Sequence, residues 1–216
     1  DVVDGIPQGK ALDLAESSPI EGFDADLKGT RSYSAIRGAD VVIVTAGIAR
    51  KPGMSRDDLL TTNRNIVTSV VKSIVEFSPN SILIIVTNPL DAMAQQAFIT
   101  SKFPKNRVIG MAGILDTSRF KYFLSQELNV PVKNIDALVL GGHGDTMVPM
   151  PNHTKINGKP LNQLIKEEKL KSIIERTRKG GAEIIKFLEK GSAFYAPAAS
   201  GVEMAESYIK DLKKSL

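Results

Sequence analysis

The chain has 216 residues and a mass of 23.4 kDa, enough for one large domain or two small ones. With 42% hydrophobic and 24% charged residues it is an ordinary globular composition, which excludes a disordered or collagen-like chain. Its 28 basic and 24 acidic residues leave a formal charge of +4, interleaved on helix-like stretches such as Lys166-Glu167-Glu168-Lys169. Without Trp, and with its few Tyr and Phe inside apolar patterns, it offers no stacking surface for bases, so no nucleic-acid partner is expected. Zero Cys excludes a disulfide scaffold, a thiolate metal site and a Cys nucleophile, and suits the reducing cytoplasm. No apolar run reaches the length a membrane span needs, so no membrane association is expected.

In chain order, Ile6 to Glu16 reads as a helix entered through Gly5 and Pro7, with Ala11, Leu12 and Leu14 on one side. Asp40 to Thr45 is a continuous β-branched run ending at Ala46-Gly47, the pattern of a buried parallel strand. Asp57 to Phe77 carries Leu60, Val67, Val71 and Ile74 at helical spacing and is halted by Ser78-Pro79. A second buried strand spans Ser81 to Thr87 and stops at Asn88-Pro89. A helix over Asp91–Ser101, a strand over Arg107–Gly110 and a helix over Ala112–Leu128, capped by Asn129, follow. Alternation at this pitch predicts a parallel sheet with right-handed crossovers. Beyond Gly142 the pattern becomes mixed, with helices expected over Leu161–Gly191 and from Ser200 to the end of the chain. The change of pattern divides the chain into residues 1–113 and 114–216.

The chemistry-bearing residues gather where strands end. In open α/β sheets, ligands bind beyond the carboxyl ends of the strands. Here those ends are Thr45-Ala46-Gly47, Thr87-Asn88-Pro89 and Gly110-Met111-Ala112-Gly113, rich in small and amide-bearing residues. The segment from Gly47 to Arg56, punctuated by Gly47 and Gly53, holds Arg50 and Arg56 six residues apart, which suits a lid that brings guanidinium groups onto an anionic substrate. Asp116 and Arg119 share one helix face. Of the two histidines, His143 stands between glycines in Leu140-Gly141-Gly142-His143-Gly144-Asp145, open to a ligand, whereas His153 reads as a surface residue. An imidazole paired with a carboxylate makes a general base near neutral pH. No P-loop, Gly-x-Ser-x-Gly elbow, His-Glu-x-x-His zinc helix or Gly-x-Gly-x-x-Gly fingerprint is present, and no metal site is expected. A His–Asp base beside arginines favours an acid–base enzyme acting on a small carboxylate.

Taken together, Ala46-Gly47, Arg50 to Arg56, Thr87-Asn88-Pro89-Leu90-Asp91, Val108 to Gly113 with Leu115-Asp116 and Arg119, and Leu140 to Asp145 resemble the malate dehydrogenases of the lactate-dehydrogenase-like type, in order and spacing over essentially the whole chain. The resemblance implies a Rossmann-type doubly wound parallel sheet, lacking its first strand and glycine-rich loop, followed by a truncated α+β substrate domain. It implies an NAD-dependent oxidation of (S)-malate to oxaloacetate. His143 would take the hydroxyl proton, and Asp116 would orient it. Arg119 would hold one carboxylate, Arg50 the other, and Arg56 and Asn88 the C2 oxygen. Asn63 and the Val86–Asn88 turn, including Thr87, would line the nicotinamide, and Asp1 would bind the adenine ribose. A cis bond at Asn88-Pro89 and a homo-oligomer are further implications. Because the family's first strand and glycine-rich turn precede Asp1, the resemblance also implies an internal fragment, inactive alone, with Val41–Thr45 left without one sheet neighbour. A lactate dehydrogenase and a non-catalytic assembly piece are the alternatives.

Overall fold

A computed structural model describes residues 1–49, 55–189 and 191–216. Three parallel strands, β1 (Val41–Val44), β2 (Ile82–Ile85) and β3 (Val108–Gly110), lie in the order β1-β2-β3. Val41 pairs with Ile82, and Leu83 with Val108. Every residue of β2 is buried, as expected of a central strand covered on both faces. As the resemblance implies, β1 stands at an edge, with Ile43 partly exposed.

Two helices on one face supply the crossovers: α3 (Arg56–Phe77) between β1 and β2, and α4 (Leu90–Ser101) between β2 and β3. A capping box opens α3. Ser55 Oγ accepts from the Asp58 N–H, and Asp58 Oδ2 accepts from the Ser55 N–H, both at 3.0 Å. Val67, Val71 and Ile74 of α3 then pack against Leu83, Ile85 and Met93 in the main core. On the opposite face, α5 (Gly113–Leu128) and α7 (Tyr195–Ile209) bring Leu115 and Met204 against Ile82 and Ile84. Asn129 ends α5 in the left-handed region at φ 50°, its N–H donating to Ser125 O.

The second lobe is built on the other side of α5. Phe120 and Leu124 pack with short antiparallel strands, namely β4 (Ile135–Asp136) with β7 (Lys155–Ile156) and β8 (Lys159–Pro160), and β5 (Val139–Gly141) with β6 (Met147–Pro149). The long helix α6 (Glu167–Leu188) closes this core through Ile173.

Three expectations are corrected. The helix expected over Leu161–Gly191 is a short 3₁₀ turn at Leu161–Gln163 followed by α6. Leu161 is fully buried, which fixes the turn, and Glu167 and Glu168 occupy the favourable first turn of the helix proper. The last helix begins at Tyr195, not Ser200. Pro197 falls in its first turn, where the missing N–H has no helical partner to lose. It ends at Ile209, and residues 212–216 are irregular, with Asp211 and Lys213 at positive φ. Finally, α1 (Ile6–Glu16) forms as expected, followed by the single turn α2 (Ser18–Glu21), but Leu12 and Leu14 remain exposed because no sheet element of the described residues lies beside them.

Candidate active site

Helix α5 lays its apolar residues into both cores and leaves Asp116 facing the β5–β6 hairpin and Arg119 facing α6. The hairpin is tied to the helix by the Val139 N–H, which donates to Thr117 Oγ1 at 2.9 Å. Asp116 is 1% exposed, and its two oxygens serve different partners. Oδ2 meets His143 Nδ1 at 3.0 Å, and Oδ1 accepts from Arg119 Nη1 at 3.3 Å. A buried carboxylate needs such compensation, since unpaired it would cost several kcal/mol on the scale of ~3–5 for a broken buried pair. With Nδ1–H donating to the carboxylate, Nε2 is left as the basic nitrogen.

The two partners are themselves sheltered: the His143 side chain is 18% exposed and that of Arg119 is 13% exposed. Burial pushes the Arg119 guanidinium below its ordinary value, and the Asp116 charge opposes that shift. Among the described residues Asp116 alone accepts from Arg119, so most of its planar fork of donors is free for a carboxylate.

Of the glycines around His143, Gly144 faces open space, whereas Gly141 and Gly142 close the hairpin. Gly141 (φ +85°) would place a Cβ 2.6 Å from Thr146 O, and Gly142 would place one 2.4 Å from Thr146 Oγ1 and 2.9 Å from Asp91 Oδ2. The hairpin closes this tightly only without side chains there, and it thereby holds the imidazole at Asp116.

One feature was missed in the sequence. A Cβ at Gly180 of α6 would lie 3.0 Å from Arg119 Cδ, and one at Gly181 would lie 3.6 Å from Arg119 Nη2, so a bare stretch of α6 backbone seats the arginine. The adjacent glycines inside a strongly amphipathic helix were the available signal. Asn63, which the resemblance sets along the nicotinamide, is 1% exposed on the same stripe of α3 as Val67, Val71 and Ile74. Its side chain is held by the backbone of Ile48 and Asn88.

At the carboxyl ends of β1 and β2 the structure brings together Gly47, Asn63, Val86, Thr87 and Asn88. The Asn88-Pro89 bond is cis, as the resemblance implies. Asn88 itself is exposed, and Thr87 is buried with its hydroxyl donating to Ala46 O at 2.8 Å. Asp1 is exposed at the chain start, where its carboxylate accepts from the Val3 N–H. His153 is exposed in a 3₁₀ turn away from Asp116. Arg50 lies outside the described residues, and so does the side chain of Arg56, the first residue of α3. Among the described residues no group of His, Asp and Glu is placed to hold a metal ion, and no helix is long and apolar enough to cross a membrane.

A parallel sheet whose strand ends face one edge, with a buried Asp116 bonded to His143 and Arg119, defines the nucleotide-type α/β class. Residues 1–110 match the family described as lactate/malate dehydrogenase, NAD binding domain, and residues 114–216 match its alpha/beta C-terminal domain. The chain belongs to the lactate/malate dehydrogenase family. It is 59% identical to the malate dehydrogenase of Pelagibacter ubique over 221 residues, covering 100% of this chain and 69% of that protein. It superposes on the apo malate dehydrogenase of Picrophilus torridus with a TM-score of 0.95 at 47% identity, over 99% of this chain and 68% of the other. The lactate dehydrogenase of Cryptosporidium parvum, solved with lactic acid and nicotinamide adenine dinucleotide, gives a TM-score of 0.92 at 42% identity, over 97% of this chain and 68% of the other.

Proposed function

We propose that the chain is the greater part of an NAD-dependent malate dehydrogenase that interconverts (S)-malate and oxaloacetate, with residues 1–113 contributing to the dinucleotide side and 114–216 to the substrate side. The observation that carries the reading is the buried Asp116 carboxylate shared between His143 Nδ1 and Arg119 Nη1. It supports reading His143 as the base and Arg119 as a carboxylate clamp beside it.

His143 receives the C2 hydroxyl proton of malate on Nε2, and Asp116 holds the ring and stabilises the imidazolium that results. Arg119 grips the C1 carboxylate through the donors that Asp116 leaves free. Arg50 meets the second carboxylate, and Arg56 and Asn88 polarise the C2 oxygen. Bound NAD supplies the acceptor for the hydride leaving C2. The residues present fit its nicotinamide end: three parallel strands end at one edge in Ala46-Gly47, Val86-Thr87-Asn88 and Gly110-Met111, the crevice in which such sheets bind dinucleotides. Val86, Thr87, Asn88 and Asn63 would line it, and Asp1 would meet the adenine ribose. The assembly is a cytoplasmic homo-oligomer.

Structural likeness extends to malate and lactate enzymes alike, so substrate choice is a kinetic question. A full-length protein carrying these residues is expected to reduce oxaloacetate with NADH at a kcat/KM far above that for pyruvate. Preference for pyruvate would replace malate with lactate chemistry, and no turnover of either would leave a non-catalytic piece.

A further inference from the structure

We infer that Asn63 and Thr87 are positioning residues: they sew the loop after β1 to the turn after β2, and neither side chain has a hydrogen-bond donor left to offer the dinucleotide. Asn63 reaches both loops from α3. Its Oδ1 accepts from the Ile48 N–H at 2.8 Å, and its Nδ2 donates to Ile48 O at 3.1 Å and to Asn88 O at 2.7 Å. Both amide hydrogens are thereby committed, fifteen residues away in one direction and twenty-five in the other. Thr87 makes the second stitch, its hydroxyl donating to Ala46 O at 2.8 Å. The seam is also closed sterically. A Cβ on Gly47 would stand 2.5 Å from Thr87 Cγ2 and 3.1 Å from Asn63 Oδ1, so only glycine lets the two loops meet.

The placement of Asn63 argues against a packing role. It falls on the apolar stripe of α3, four residues before Val67, where a leucine or valine would pack with less penalty. Ile48 and Asn88 lie on loops with no sheet ladder to satisfy those backbone groups, and the carboxamide replaces the missing ladder. On the dehydrogenase reading proposed above, Asn88 carries an amide to the substrate's C2 oxygen. The backbone carbonyl of Asn88 is the group that Asn63 holds, so loss of the seam acts first on substrate and only second on dinucleotide.

The test uses Asn63→Ala and the volume-conserving Thr87→Val in a full-length protein, with Thr87→Ser as the conservative control. Amide exchange at Ile48 is expected to quicken by about tenfold or more in Asn63→Ala, the loss of one buried hydrogen bond. The KM for oxaloacetate is expected to rise by about tenfold in each variant while the NADH Kd stays within about twofold. Thr87→Ser, which keeps the stitching hydroxyl, should raise the oxaloacetate KM less than Thr87→Val does, and the double variant should fall short of the product of the singles because both undo one seam. A weakened NADH Kd with an unmoved oxaloacetate KM would overturn the inference in favour of direct cofactor contact. Unaltered kinetics with only a lower Tm would reduce both residues to stability, and unchanged Ile48 exchange would remove the seam itself. Should the wild-type protein turn over no keto acid, the dehydrogenase reading falls, and Ile48 exchange still decides whether the seam exists.

Discussion

Gly180 lies directly against Arg119: a Cβ added to the glycine would sit 3.0 Å from Arg119 Cδ. The arginine is held at its far end by Asp116 and along its stem by helix backbone, so its position is set by two elements that meet only in the folded chain. In an isolated helix, glycine at this position would be a cost of about 1 kcal/mol relative to alanine.

Gly180→Ala therefore sets two effects against each other. Helix propensity favours the alanine by about 1 kcal/mol, while its methyl displaces the arginine stem by a few tenths of an ångström. Stability is expected to hold or rise, and the KM for oxaloacetate to rise about tenfold, since misplacements near 1 Å can cost about 10²-fold. Thermal melting and steady-state kinetics on the same preparation check this. A lowered Tm with normal KM would mean that the glycine serves packing alone.

His143→Asn should preserve the fold, because the side chain is half-buried and an asparagine can still donate to Asp116. The rate should fall on the order of 10²–10⁴-fold, the usual contribution of one acid–base group. Near-normal turnover would move the base elsewhere, and His153 would be the next residue to substitute.

Asp116→Asn is expected to cost less than His143→Asn but to damage both neighbours. A carboxylate presents an acceptor to each of His143 and Arg119; an amide has one oxygen and one NH₂. If the oxygen turns to the imidazole, the NH₂ faces the guanidinium; if it turns to the arginine, the imidazole is driven to the tautomer that carries its proton on Nε2. The expected signature is a loss in kcat together with a raised keto-acid KM. A change in kcat alone would show that Arg119 keeps its place without the charge.

Arg50→Gln tests substrate choice from the sequence, as Arg50 lies outside the described residues. A guanidinium facing the second carboxylate contributes about 1.5–3 kcal/mol through charge-assisted bonds, and facing a methyl it would be left unpaired. Oxaloacetate kcat/KM should fall by about 10–10²-fold or more while pyruvate activity holds or rises. An unchanged ratio between the two keto acids would remove the basis for calling this a malate enzyme.

The capping box of α3 predicts a titration. The Ser55 hydroxyl and N–H hold the Asp58 carboxyl below its ordinary value. A depressed carboxylate stabilises the fold above the unfolded value of about 3.9 and loses that contribution as pH falls through the lower folded value. NMR titration of Asp58 should give a midpoint below about 3.9 that returns toward it in Ser55→Ala. A midpoint already at the ordinary value would mean that the box is absent in solution.

The three strands and the helices between them were legible because β-branched runs, helical spacing and stops such as Ser78-Pro79 and Asn88-Pro89 are local signals. So were the family and the pairing of Asp116 with His143, through motifs whose order the chain carries. The starts of α6 and α7 were not, since the burial of Leu161 and the tolerance of Pro197 depend on what surrounds them. Gly180 and Asn63 read locally as a weak point in a helix and as a candidate cofactor contact. Tertiary structure makes the first a seat for Arg119, more than sixty residues away, and the second a clasp on Ile48 and Asn88. Side-chain type and spacing determine which groups are available. Which backbone atoms stand opposite them is decided only when separate elements close on one another, because a hydrogen bond or a steric limit exists only at contact distance.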